Sequence, residues 1–333
     1  MSKVIPIEPQ PAMQKLMDDE DLQYMRLQTD CEAVFFMSSS GHCTFDCEYC
    51  IVNPIAKKEQ SLTYEDIAFL LDQFDCKSFL IFSGKGDFFA GYSRSQRLLE
   101  KVLDHNVEIA LDINGSVIQE LPQLSQDKLD KIRYINLTMH YNEIKRKNLF
   151  SVWAKNAITL LEKKSEVMLL GYIMSPKLSH EWAEALAFFT QEVFAKTGRG
   201  IILVRDIMQP FSDEQQQLFE SLQQKYADSI AGIHQDNFAK IFEQNPNVLC
   251  PAGHRYFRVW NDGSVQACPY IEELNQSGNL KQRNIQINDQ PFACSKPEFC
   301  DCHVIEGLGK MAYQPQADGS DDSTADAAQR CFI

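Results

Sequence analysis

Short runs rich in β-branched and aromatic residues, at 33–37, 78–82, 107–113, 133–139, 167–174 and 201–207, are separated by longer stretches of helical periodicity. Strands so far apart in the chain are joined by crossovers rather than hairpins, so the pattern predicts βα units around a parallel sheet. Helices are expected at 64–74, 94–105 and 180–194, with Ser61 or Thr63 capping the first and Ser179 the last. With 44% apolar content, 333 residues suffice for one large core, or for one core and a small appended unit.

After Phe211 the rhythm ends in a Gln-rich helical stretch at 213–226 and a second at 237–244. From Cys250 the texture changes again. Residues 254–260 alternate, Asn261-Asp262-Gly263 reads as a hairpin turn, and 264–268 reads as a returning strand. The expected divisions are a lead-in (1–30), the βα unit (31–211), a helical connector (212–249), a cysteine-bearing module (250–310) and a polar, flexible tail (311–333).

The formal charge of −14 argues against a nucleic-acid partner, because binding to a phosphate backbone draws on clustered Lys and Arg. No apolar run reaches membrane-spanning length and the N-terminus lacks the features of a signal peptide, so no membrane partner and a cytoplasmic location are expected. In that setting eleven cysteines at short spacings suggest ligation of a metal or cluster more than a disulfide framework. Cys31 and Cys76 read as core thiols, and Cys331 as a tail residue.

Cys43, Cys47 and Cys50 place three thiols within eight residues, directly after the first expected strand. Three thiolates can hold three irons of a cubane and leave the fourth open, whereas structural zinc sites and closed clusters take four protein ligands. A zinc knuckle borrowing a fourth ligand such as His42 is the alternative. The second strand runs into Ser83-Gly84-Lys85-Gly86-Asp87, where two glycines permit close backbone approach to a ligand and a carboxylate follows. The third ends at Asp112, Asn114 and Ser116, a polar rim that equally fits an Asx turn. On the fourth, Thr138 and His140 share a face by period-two alternation, and His140 suits either ligand binding and proton transfer or a structural role. Arg205-Asp206 on the sixth is either a salt-bridged pair or a substrate clamp.

The Cys-x3-Cys-x2-Cys spacing, with the aromatic Tyr49 before the last cysteine, resembles the radical S-adenosylmethionine (SAM) superfamily. The resemblance implies an α/β fold, a partial (β/α)6 TIM-like barrel whose first loop holds a SAM-binding [4Fe-4S] cluster on Cys43, Cys47 and Cys50. It implies reductive cleavage of SAM to a 5′-deoxyadenosyl radical, with an electron from a flavodoxin- or ferredoxin-type donor. Tyr49 would lie by the adenine. Ser83, Gly84, Gly86 and Asp87 resemble the family's Gly-Gly-Glu segment for the SAM amino group, with inserted Lys85 and Asp87 as departures. Asp112, Asn114 and Ser116 would contact ribose or the methionine carboxylate. Thr138 and His140 would stand at the barrel mouth, Gly171 and Tyr172 beside adenine, and Arg205 near the ligands.

The run from Cys250 through Gly263 to Cys268 resembles the opening of the SPASM and twitch domains, which implies a small C-terminal α+β cysteine-rich domain with an auxiliary [4Fe-4S] cluster. Cys250, Cys268, Cys300 and Cys302 are its first-choice ligands and Cys294 the competitor; a zinc ribbon is the alternative. The expected substrate is small and polar, sugar-like or carrier-borne, in a dehydrogenase- or epimerase-type reaction. A peptide-modifying enzyme is the second reading and a non-catalytic iron-sulfur or zinc protein the third.

Overall fold

The computed structural model describes residues 31–38, 40–50, 61–84, 86–90, 97–118, 120–165, 168–205, 209–234, 249–268, 271 and 276–293. Strands β1 (Ala33–Ser38), β2 (Ser78–Ser83), β3 (Val107–Ile113), β4 (Ile132–Met139), β5 (Met168–Met174) and β6 (Ile201–Arg205) are the six expected runs, and each pairs in parallel with the next. A seventh strand, β7 (Ile230–His234), adds parallel to β6. It falls in the expected helical connector, of which the described helical part is α7 (Asp213–Lys225) and a single 3-10 turn. The other α-helices of five or more residues are α1 (Tyr64–Leu71), α2 (Leu98–Val102), α3 (Gln126–Asp130), α4 (Tyr141–Arg146), α5 (Phe150–Lys164) and α6 (Trp182–Phe189).

Two helix starts are set by capping boxes. Thr63 and Asp66 exchange side-chain-to-backbone bonds at α1, and Ser212 and Gln215 do so at α7. Ser179 caps nothing; it lies in a 3-10 segment, Pro176–Glu181, that leads into α6.

Helices α1 to α7 bury their apolar residues in one core, against Phe35 and Met37 of β1, Leu80 and Phe82 of β2, and Leu137 and Met139 of β4. The alternate strand residues Val34, Phe79, Ile81, Ala110 and Tyr134 form a separate cluster on the opposite face, with no helical residue in it among those described. Strands in chain order with every helix on one side make a singly wound sheet, unlike the doubly wound kind whose strand order reverses.

The free edge of β1 is covered by the C-terminal segment. Strand β9 (Tyr256–Val259) pairs with β1 in parallel, Val34 opposite Tyr256 through Met37 opposite Val259. Strand β10 (Ser264–Gln266) returns antiparallel to β9 around the expected Asn261-Asp262-Gly263 turn, and β11 (Gly278–Asn279) and β12 (Asn284–Ile285) follow outward. A short separate pair joins β8 (Leu249–Cys250) to β13 (Phe292–Ala293). The hairpin therefore extends the main sheet and covers an edge that would otherwise expose unpaired backbone groups.

Cys31 is buried as expected, whereas Cys76 is partly buried and disulfide-bonded rather than a core thiol. The expected helix at 237–244, Asp206, Cys294, Cys300, Cys302, Cys331 and the tail lie outside the described residues. Among the described residues no helix is long and apolar enough to cross a membrane.

Candidate active site

The loops that follow β1, β2, β3 and β4 meet at the carboxyl ends of the strands, the end at which ligands bind in sheets of this kind. Asp87 is the knot between three of them. Its carboxylate is buried and accepts the Asn114 N–H at 2.7 Å and the Phe89 N–H at 3.0 Å, while its own N–H donates to the His42 carbonyl at 2.6 Å. Ser40 donates to the Asp87 carbonyl at 2.7 Å, which fixes the chain just ahead of Cys43. The carboxylate expected to receive the SAM amino group is thus bonded to backbone amides of this chain.

Gly84 and Gly86 both have positive φ, +84° and +92°, which side chains rarely adopt. At Gly86 an added Cβ would stand 2.8 Å from the His42 nitrogen and closer still to its carbonyl. That position therefore needs glycine for space as well as conformation.

From β3, the Asn114 amide donates to Thr44 Oγ1 at 2.9 Å and to Cys43 Sγ at 3.6 Å, and its Oδ1 accepts from the Ser116 N–H and hydroxyl at 2.9 and 2.7 Å. Thr44 and Ser116 share a hydroxyl hydrogen bond of 2.6 Å. Trp153 of α5 holds the Asn114 carbonyl at 2.9 Å, so the polar rim is anchored in the helical layer.

At the end of β4, His140 Nδ1 lies 2.8 Å from the Tyr49 hydroxyl and 3.4 Å from Cys47 Sγ. Its ring stacks on Tyr49 with centroids 5.9 Å apart and meets Phe45 edge-on at 5.8 Å. Burial pushes the His140 pKa down to about 4, so the ring is neutral near pH 7. In α4, Glu143 accepts the Asp46 N–H at 2.8 Å and is gripped by both arms of Arg146, at 2.8 and 2.6 Å. Burial opposes its charge, but Arg146, the Asp46 amide and Lys147 outweigh it and hold the carboxyl below its usual range. Glu143 was not among the expected site residues; an acid in the first turn of the helix after His140 was the available signal.

Cys43, Cys47 and Cys50 lie together on this one braced loop. Burial, then the Glu143 carboxylate and Cys43, push the Cys47 thiol up to about 12, and burial also raises Cys43. As placed, they are not gathered around a common point: among the described residues no three His, Cys, Asp or Glu side chains form a metal-ready group. The donor set nevertheless fits a cluster. All three sulfurs lie within electrostatic range of one another, and Cys43 already receives the Phe45 N–H at 3.4 Å besides the Asn114 amide, the donors a thiolate needs. Soft thiols on a single loop close around a metal when it binds and deprotonates them.

On the helix-free face, Ser38, Ser83, Asp112, Asn136 and Thr138 continue the polar lining; Ser83 donates to Asp112, and Ser38 is opposite Ser83, Asp112 opposite Asn136, and Thr138 opposite Gly171. A Cβ on Gly171 would make only ordinary contacts with Asn136 and Thr138, at 3.6 and 3.9 Å. Arg205 is not brought to this cluster, whereas Tyr172 lies within electrostatic range of Tyr49. Tyr172 is buried in the helix-side core, and Arg205 lies 4.3 Å from the Phe211 ring and donates to Gln216. Cys250 belongs to the buried cluster of the helix-free face and Cys268 packs against it.

Asp87 gives the site a pH signature. Burial outweighs the amides of Asn114, Phe89 and Ala90 and raises its pKa to about 6. Because the folded value exceeds the unfolded one, its contribution is complete below about pH 4 and is lost as pH rises through about 6, a swing of about 3 kcal/mol. Urea unfolding of the wild type relative to Asp87→Asn at pH 4 and 7 is expected to show the wild type's relative advantage shrinking at pH 7.

A singly wound α/β sheet with a three-thiol loop at its carboxyl rim is the class of protein that this geometry defines. No family model matches the chain, and no curated protein matches it in sequence. It is similar in structure to anSMEcpe with bound AdoMet, at 15% identity over 75% of each chain with a TM-score of 0.45. It is also similar to native anSMEcpe with bound AdoMet and Cp18Cys peptide, at 15% identity over 74% of this chain and 77% of that one, TM-score 0.45. A third similar structure is Streptococcus suis SuiB bound to precursor peptide SuiA, at 10% identity over 78% of this chain and 64% of the other, TM-score 0.41.

Proposed function

We propose that this chain is a radical SAM enzyme built on a partial barrel, with Cys43, Cys47 and Cys50 holding a [4Fe-4S] cluster. The observation that carries the reading is the placement of the Cys-x3-Cys-x2-Cys loop directly after β1, braced by the loops after β2, β3 and β4. When bound on Cys43, Cys47 and Cys50, the cluster would supply a SAM-binding position and the electron for reductive cleavage of SAM.

The residues of the chain have separable tasks in this reading. Asn114, Thr44 and Ser116 position Cys43; Glu143 and Arg146 hold the Asp46 amide; Tyr49 and His140 form a wall beside Cys47. Tyr49 would contact the adenine, with Gly171 leaving room beside Asn136 and Thr138. Asp87 is assigned to positioning, since its oxygens order two of the loops. A neutral His140 next to the site can bind a polar group or accept a proton.

The finer assignment is abstraction of hydrogen from a small polar substrate, of dehydrogenase or epimerase type. The lining of Ser38, Ser83, Asp112, Asn136 and Thr138 supports a polar occupant. Cys250 and Cys268, with two of Cys294, Cys300 and Cys302, are proposed to hold an auxiliary [4Fe-4S] cluster, and a flavodoxin- or ferredoxin-type protein to supply the electron. Anaerobic reconstitution with iron and sulfide, followed by SAM and dithionite, is expected to yield 5′-deoxyadenosine. Stoichiometric zinc with no 5′-deoxyadenosine would favour the non-catalytic reading instead.

A further inference from the structure

The β9 strand brings to the sheet a residue that the motifs do not single out. Arg258 stands opposite Phe36 in the β1–β9 register, and the row continues across the sheet through Ile81, Ala110 and Tyr134. Those neighbours line the helix-free face, so Arg258 is one cation in an apolar row. Its guanidinium lies 5.3 Å from the Phe36 ring centroid and 5.9 Å from that of Trp260. Other arginines of the chain have carboxylate partners: Arg133 has Glu108, Arg146 has Glu143, and Arg283 has Asp66. Arg258 has no ion pair among the described residues, and its Nε is shielded from solvent without a hydrogen-bond partner.

A second orphan lies on the same face of the sheet. Ser38, two residues beyond Phe36 on the same face of β1, is 3% exposed and its hydroxyl has no partner either. Arg258 is half-buried, and an arginine stays charged, so its orphaned Nε–H cannot be relieved by losing the proton. Aromatic faces stabilise it only in part, and each orphaned polar group destabilises the fold until a partner arrives.

We infer that Arg258 and Ser38 form the receptor for a carboxylate on the substrate. The planar fork of a guanidinium matches a carboxylate through two parallel N–H···O bonds, and the serine hydroxyl supplies a third donor. A lone cation balances the single charge of a carboxylate better than the nearly double charge of a phosphate. Ser38 ends the strand that leads into the cysteine loop. A substrate anchored there by its acid group would extend along the face toward Cys43 and the polar rim. The inference rests on the function proposed above, because only there is this face a substrate chamber.

Calorimetric titration of the iron-loaded protein with SAM present tests it, using N-acetylglycine, its amide N-acetylglycinamide, and inorganic phosphate. The acid is expected to bind at least tenfold more tightly than the amide. Arg258→Gln is expected to bring the acid down to the level of the amide, and Arg258→Lys, which keeps the charge and loses the fork, to fall between. The comparison of acid with amide on wild-type protein needs no variant to fold. Acid binding no tighter than amide binding, undetectable binding included, overturns the inference. So does tighter binding of phosphate, or an Arg258→Gln protein that binds the acid normally but SAM poorly, which would give the arginine to SAM. Production of 5′-deoxyadenosine by the same wild-type preparation separates the two ideas: product without selective acid binding removes only the carboxylate receptor, and absence of product removes the proposed function.

Discussion

Replacing Cys47 with alanine is expected to lower bound iron by about four per chain and to suppress 5′-deoxyadenosine formation by at least about a thousandfold, because a cubane held by two thiolates loses a corner ligand and disassembles. Cys47 is the member of the trio in contact with His140 and within the field of Glu143, so its loss also removes one of the contacts between the cysteine loop and the β4–α4 junction, beside those of Tyr49 and Asp46. Iron and sulfide analysis beside the product assay reads both effects. Retention of full iron in Cys47→Ala would assign the iron to the C-terminal cysteines, and the account of the first loop would fail.

Gly86→Ala is expected to destabilise the fold by about 2–4 kcal/mol, adding a backbone clash to the cost of a positive φ. Gly84→Ala should cost only about 1 kcal/mol, since a Cβ there meets nothing nearer than Phe36 at 3.6 Å. The two glycines differ because Gly86 is pressed against His42, immediately ahead of Cys43. Gly86→Ala should therefore also load less iron than Gly84→Ala. Urea midpoints and iron content of the pair provide the check, and equal penalties at both positions would show that the contact with His42 does not order the loop.

Local pattern sufficed where an element is long and its alternation strong. The strands from β1 to β6 each carry buried apolar residues toward the helices, so their β-branched and aromatic runs stand out. Strand β7 has only Ile230-Ala231-Gly232-Ile233-His234 and follows a long polar helix, so it carries too few apolar residues to be read. The pairing of β9 with β1 joins segments more than two hundred residues apart in sequence. No local signal encodes such a partner; the edge of β1 and the register of the face decide it.

The site was legible to the same extent. Spacing alone marks Cys43, Cys47 and Cys50, and the ends of successive strands mark Ser83, Asn114 and His140. Period-two alternation also carried a warning about Arg205, which shares parity with the helix-facing Leu203. What could not be read was the use made of each polar group. Asp87 looks like a ligand in sequence and is bonded to backbone amides in the fold; Arg258 looks like a strand surface residue and is a cation on the helix-free face with no ion pair among the described residues. Both facts depend on neighbours from distant strands.

The most direct test is electron paramagnetic resonance of the anaerobically iron-loaded, dithionite-reduced protein before and after SAM is added. An iron at the Cys43, Cys47 and Cys50 loop that lacks a protein ligand predicts a [4Fe-4S] signal whose g-values shift with SAM, and loss of that response in Cys47→Ala. A spectrum unchanged by SAM, or a SAM response that survives Cys47→Ala, would contradict it.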